Sequence, residues 1–268
     1  MLKDITLGQY FPGNSFIHRL DPRTKLICTI IYIAALFAAK SYVTYGILFI
    51  ILCLSVAVSK IRPAALLKGL KPLALIIIFT AVLNLFYIKG GRELLSFWTL
   101  SITTEGIKTA FFMVIRIMML ITGTFLLTYT TTPMALTDGL ELIMNPLKKI
   151  RVPVHEFSMM MSIALRFIPT LIEEADKITN AQKARGADFE NGKLTERAKA
   201  LLPLLVPLFV SAFRRADELA VAMESRCYHG GEGRTRMKKL SMRASDYVTA
   251  LSSLVFLAGI IFLAREGL

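Results

Sequence analysis

The sequence predicts an all-α membrane protein with about five transmembrane helices plus a cytoplasmic coupling subdomain of three amphipathic helices. Three observations carry this. The 268 residues are 54% hydrophobic with a mean hydropathy of +0.57 and only 19% charge, too apolar for an ordinary soluble domain. The apolar residues gather into runs of membrane-spanning length. The basic residues flank those runs instead of forming one patch, so the net charge of +13 speaks for membrane topology and against nucleic acid.

The first span runs from about Pro22 to Ala39, with Asp21-Pro22 as an N-cap/N1 pair. At roughly 27 Å it only just crosses a bilayer. The second, Tyr42 to Ser59, follows with almost no loop, which demands a tight antiparallel hairpin. Leu70 to Ile88 and Ile107 to Thr128 supply the third and fourth, and Ala244 to Ala264 closes the chain. The organisation is therefore residues 1–128 with four spans, 129–243 as cytoplasmic helices, and 244–268 as the last span.

Loop charge sets the orientation. With the N-terminus inside, only Lys40, Lys89, Arg92, Lys108 and Arg265 fall outside, and Arg116 lies within a span. All other lysines and arginines are cytoplasmic, as the positive-inside rule requires. The C-terminus is then extracellular.

Within 129–243, Thr132-Pro133 starts a helix with Leu136, Leu140, Ile143 and Leu147 at helical spacing. Pro153 starts a second, whose broad apolar stripe runs from Phe157 to Ile178 and which ends at Gly186, a natural C′ residue. Thr195 opens a third, through Leu201 to Met223, with Pro203 and Pro207 expected to kink it and Gly230-Gly231 beyond its end. Residues 201–213 are too short a run, with two prolines, to be a crossing. Apolar stripes outside the bilayer must be covered by one another, by headgroups or by a partner.

The most informative pattern is an echo. Ala181-Gln182-Lys183-Ala184-Arg185-Gly186 is repeated forty-one residues later by Ala222-Met223-Glu224-Ser225-Arg226-Cys227. Each offers an arginine at a helix C-terminus, where a cation complements the macrodipole, between small residues (Ala184, Gly186, Ser225, Cys227) that permit close approach. A guanidinium so placed can fork onto carboxylates in a partner's cleft; the plain alternative is a pair of solvated helix ends.

Arg116 sits mid-span, where a charge costs about 2.5–3.5 kcal/mol on insertion scales, and Asn84 in the third span is its candidate polar partner. The pair is either an intramembrane polar site or, the favoured reading, a structural arginine bonded to backbone carbonyls. His18, His155 and His229 and the three cysteines lack metal-ligand spacing. No phosphate-binding Gly-x-x-x-x-Gly-Lys-Ser/Thr loop, His-Glu-x-x-His or nucleophile elbow occurs, so neither ATP hydrolysis nor another catalytic apparatus is visible, and no cofactor is called for. The basic tail Arg234, Arg236, Lys238, Lys239 and Arg243 suits an anionic lipid surface.

In this order the motifs resemble the transmembrane coupling (T) component of energy-coupling-factor (ECF) transporters. The resemblance rests on Ser15-x-x-His18-Arg19-Leu20-Asp21-Pro22-Arg23-x-Lys25-Leu26, Leu165-Arg166-Phe167-Ile168-Pro169 and the two arginine motifs, the second of which reads Ser-Arg-Cys at 225–227 where the family usually has Ala-Arg-Gly. It implies a non-catalytic subunit of an ABC-type importer in a prokaryotic plasma membrane. Two ATP-binding-cassette ATPase subunits would dock on Arg185 and Arg226, and a separate substrate-binding (S) membrane subunit would carry the vitamin or ion. A self-contained secondary transporter would need an internal repeat and midplane polar residues, and a scaffold for a non-ATPase partner is the third reading.

Overall fold

The computed structural model describes residues 10–39, 41–88, 90, 93–97, 100–187, 194–231 and 240–265. The protein is helical, with two compact units: residues 8–139 with 240–268, and residues 140–239.

In the first unit a short α1 (Phe16–Arg19) leads into α2 (Pro22–Ala38), α3 (Tyr42–Ser59), α4 (Pro63–Leu70), α5 (Ala74–Tyr87), α6 (Thr104–Thr130) and the start of α7 (Pro133–Met144). The last helix, α10 (Ala244–Arg265), belongs with them. Four helical stretches are long and apolar enough to cross a membrane: Tyr42–Ser59, Pro63–Tyr87, Thr104–Thr130 and Ala244–Arg265. The helix expected as the first span, α2, has 17 residues, fewer than any of these. It sits among its neighbours, packing on α10, α6 and α3 with Ile31, Ala35 and Leu36 buried.

The third apolar stretch starts earlier than its hydropathy suggests. Pro63 provides N1 of α4, and Lys71–Leu73 then tightens into a 3₁₀ turn around Pro72 before α5 resumes. Proline has no amide to donate, so an interruption there loses little. Between α5 and α6 the chain forms an antiparallel hairpin of β1 (Glu93–Phe97) and β2 (Leu100–Thr103), which hydropathy alone does not reveal.

Ala35, Leu36, Ala39, Tyr45, Leu48, Leu52, Met119 and Ile260 form the core of this unit. Helices α2 and α6 approach so closely that a Cβ at Gly123 would lie 2.6 Å from the Tyr32 ring. The outward faces are apolar, with Leu75 76% and Val248 67% exposed, the surface a lipid-facing bundle presents.

The N-terminal motif ties the helix ends together. Ser15 Oγ lies 2.6 Å from His18 Nδ1, and His18 Nε2 is 3.0 Å from the Phe11 carbonyl. Asp21 caps α2 by accepting the Arg23 amide at 2.9 Å, as its sequence position predicts. Lys25 Nζ donates to the carbonyls of His18 and Thr130, and Arg23 Nη2 to that of Leu240. Buried polar groups are tolerable when bonded, and Ser15, His18, Asp21, Arg23 and Lys25 of this motif each make at least one specific hydrogen bond.

In the second unit, α8 (Val154–Ala184) and α9 (Leu194–Glu224) are 31 residues each and pack on one another. Pro169 lies inside α8, and α9 continues as one helix through Pro203 and Pro207.

Candidate functional site

Helix α8 forms because its apolar residues recur along one stripe, and α9 follows the same logic. The two stripes meet in a cleft of about 340 Å³ lined by Ile168, Leu171, Ile172 and Ala175 of α8 and Leu205, Leu208, Phe209 and Ala212 of α9. Beside it Arg215 Nη2 donates to Glu174 Oε2 at 2.9 Å. The Ser211 hydroxyl, followed by the Arg215 guanidinium, holds the Glu174 carboxyl below its usual range.

The crossing has a register that the echo motif foreshadows. Glu174 and Arg215 are forty-one residues apart, as are Ile168 and Phe209, Leu171 and Ala212, and Arg185 and Arg226. Of these pairs, Glu174 and Arg215 are hydrogen-bonded to each other, so one pair of equivalent positions meets where the two helices cross. Each arginine lies eleven residues beyond the Glu174–Arg215 contact, about 16 Å at the helical rise. The second tip lies toward the opposite end of the pair from the first, because the Tyr228 hydroxyl donates to Met159 Sδ (3.1 Å) near the start of α8.

Both tips have one backbone geometry. At the first, Gly186 N–H donates to the Lys183 carbonyl (3.0 Å) and Ala187 N–H to that of Gln182 (3.0 Å), with Gly186 at φ +86°. At the second, Cys227 N–H donates to Glu224 (2.9 Å) and Tyr228 N–H to Met223 (3.1 Å), with Cys227 at φ +54°. These are two Schellman turns bond for bond, with Arg185 and Arg226 at the C-cap and the following residue at C′ in the left-handed region. The cysteine standing where glycine is usual has not changed the turn. It has placed an L side chain in a conformation that costs about 1–2 kcal/mol. The turn ends α9 at Glu224, one residue past Met223, the last residue of the expected helix, and Gly230-Gly231 lies beyond it.

Ala184, Arg185, Gly186, Ser225, Arg226 and Cys227 are all exposed. Neither guanidinium has a hydrogen-bond or ion-pair partner among the described residues, whereas the half-buried Arg215 on α9 is paired with Glu174. Large apolar side chains are also uncovered, including Phe157, Met160 and Met161 on α8 and Val206, Phe209, Val210 and Phe213 on α9.

The intramembrane candidates are not joined. Arg116 Nε donates to the Tyr45 hydroxyl at 2.7 Å and Nη2 to the Ala39 carbonyl at 3.3 Å, with the Phe37 and Tyr45 rings 5.7 Å away. Asn84 gives its amide to the Thr80 carbonyl of its own helix at 2.8 Å. Among the described residues no group of three His, Cys, Asp or Glu is arranged to hold a metal ion.

Sequence reasoning missed the Glu174–Arg215 pair and the backbone equivalence at Cys227. The first depends on how the two separate helices cross. For the second only coordinates reveal a positive φ on a non-glycine residue.

Residues 13–237 match the family model described as "Cobalt transport protein". The chain is 53% identical over 256 residues, 95% of each chain, to a protein of Clostridium kluyveri named energy-coupling factor transporter transmembrane protein EcfT. It is 52% identical over 263 residues, 98% of each, to the protein of that name in Ruminiclostridium cellulolyticum. With that of Bacillus subtilis it shares 47% over 265 residues, 99% of this chain and 100% of the relative.

Proposed function

Because the chain belongs to the family of transmembrane components of energy-coupling factor transporters, we propose that it is the non-catalytic subunit that passes motion from two ATP-binding-cassette ATPases to a separate substrate-binding membrane subunit. The cargo class is a vitamin or other micronutrient, a metal ion included. The observation that carries the reading is the pair of identical helix caps, each presenting an exposed, unpaired arginine about 16 Å from the shared crossing.

Two equivalent prongs suit two equivalent acceptors. A guanidinium at a helix C-cap is a rigidly placed fork, suited to a groove lined with carboxylates. The uncovered apolar residues of α8 and α9 supply a broad surface for the substrate-binding subunit, and methionines within it re-pack readily. Approach or separation of the ATPases then acts on two arms of equal length about the crossing and alters the surface that the substrate-binding subunit leans on. Nucleotide chemistry stays with the ATPases. The N-terminus and residues 129–243 are cytoplasmic and the C-terminus extracellular.

The test is co-purification of the ATPases with the full chain carrying Arg185→Ala and Arg226→Ala. The double variant should insert into membranes and lose the ATPases. Retention at the wild-type level refutes the assignment of the prongs. Uptake by the chain alone in proteoliposomes would instead select a self-contained transporter.

A further inference from the structure

Between α7 and α8, residues 145–153 (Asn-Pro-Leu-Lys-Lys-Ile-Arg-Val-Pro) are exposed without exception. The segment is nonetheless ordered. A 3₁₀ helix spans Asn145–Ile150 and is closed by Arg151 N–H to Lys148 (3.0 Å) and Val152 N–H to Leu147 (3.4 Å), with Arg151 at φ 61°. A turn held out in water ordinarily carries polar side chains. Here Leu147, Ile150 and Val152 are 37%, 73% and 38% exposed.

Interleaved with them are Lys148, Lys149 and Arg151, none of which has a partner among the described residues. No acidic residue lies between Glu141 and Glu156, and Glu141 is engaged by His155 at 3.1 Å. Three uncompensated cations alternating with three projecting apolar side chains have the composition of an interfacial anchor. The apolar groups enter the acyl boundary while the cations stay at headgroup level. We propose that residues 147–152 seat in the headgroup layer of an anionic bilayer and anchor the second unit's α7–α8 turn to the membrane surface. Charge complementarity selects anionic lipid over a neutral surface. The membrane-crossing helix α6 ends only fifteen residues before the turn, so the surface is within chain reach.

The test uses the full-length chain with Trp98, its one tryptophan, changed to Phe and with Ile150→Trp, an exposed site. It is reconstituted in phosphatidylcholine vesicles with or without phosphatidylglycerol, the acyl chains brominated. With anionic lipid the emission should shift to the blue and be quenched by bromine. Each cation removed should weaken the seating about fivefold, so Lys148→Glu, Lys149→Glu and Arg151→Glu together should return the emission to that of a water-exposed indole. The proposal fails if the indole stays open to aqueous iodide in anionic vesicles. It fails equally if quenching is unchanged by lipid charge and by the triple substitution. Shielding that appears only when an ATPase or a substrate-binding subunit is added assigns the turn to a protein partner and overturns it as well. Arg185 and Arg226 are untouched, so ATPase co-purification reads out the coupling function separately.

Discussion

Asp246 Oδ1 accepts the backbone amide of Asp21 at 2.8 Å across 225 residues of sequence. Its other oxygen accepts the Arg243 amide at 2.7 Å, so one buried carboxylate caps α10 and pins it to the residue that caps α2. Replacing Asp246 by Ala leaves two amides unbonded and removes an anion facing Lys25. The expected cost is about 2–4 kcal/mol, read as a lowered thermal midpoint in detergent. Asp246→Asn, which keeps one acceptor, should lose less; equal stability of all three chains would remove the pin from the account.

The left-handed residues of the two caps predict opposite responses. Cys227→Gly relieves a strained φ and should be neutral or stabilising by up to about 1 kcal/mol, while ATPase binding is retained. Gly186→Val imposes that strain and should cost about 1–2 kcal/mol. Urea or thermal unfolding of the two variants checks the pair, and a destabilised Cys227→Gly chain contradicts the shared geometry.

Charge reversal should exceed truncation at the prongs. Arg185→Ala removes an attraction, whereas Arg185→Glu sets like charges against each other in an acidic groove. Truncation should weaken ATPase association at least about tenfold, and reversal further, in a titration at fixed ionic strength. Indistinguishable affinities for Ala and Glu would show that the acceptor is not acidic.

The Glu174 carboxyl is held low by Ser211 and Arg215. A carboxylate with a depressed folded pKa contributes stability above its unfolded value of about 4.3, and loses it as pH falls through the folded value. The stability gap between the wild type and Glu174→Gln should therefore be constant near neutrality and close on acidification below about pH 4. A gap that widens in acid would mean the pair is not ionic.

For Arg116, Tyr45→Phe should cost about 1 kcal/mol by removing the hydroxyl acceptor. Arg116→Met gives up the same bonds and also the cost of a membrane-embedded charge, about 2.5–3.5 kcal/mol on insertion scales, so it should fold and transport. Loss of uptake with normal assembly would instead make Arg116 part of a substrate path.

Much of the protein was legible in its sequence because the relevant physics is local. Span positions follow from runs of apolar residues, and the Asp21 cap and the helix end at Gly186 follow from backbone groups a few residues away. The two arginine tips were visible as a repeat. By contrast, the α4 start at Pro63 and the β hairpin depend on turn geometry that hydropathy does not encode.

What the sequence determined alone is a helical membrane protein with a twinned cationic motif, since composition, periodicity and capping chemistry operate within a turn or two of helix. Only the tertiary structure decided that Asp246 meets Asp21, that Arg116 chooses Tyr45 and Ala39 over Asn84, and that Glu174 faces Arg215. Each of those depends on the rotation and crossing of separate helices. An apolar stripe says which face turns inward, but not which polar residue of another helix will stand opposite it.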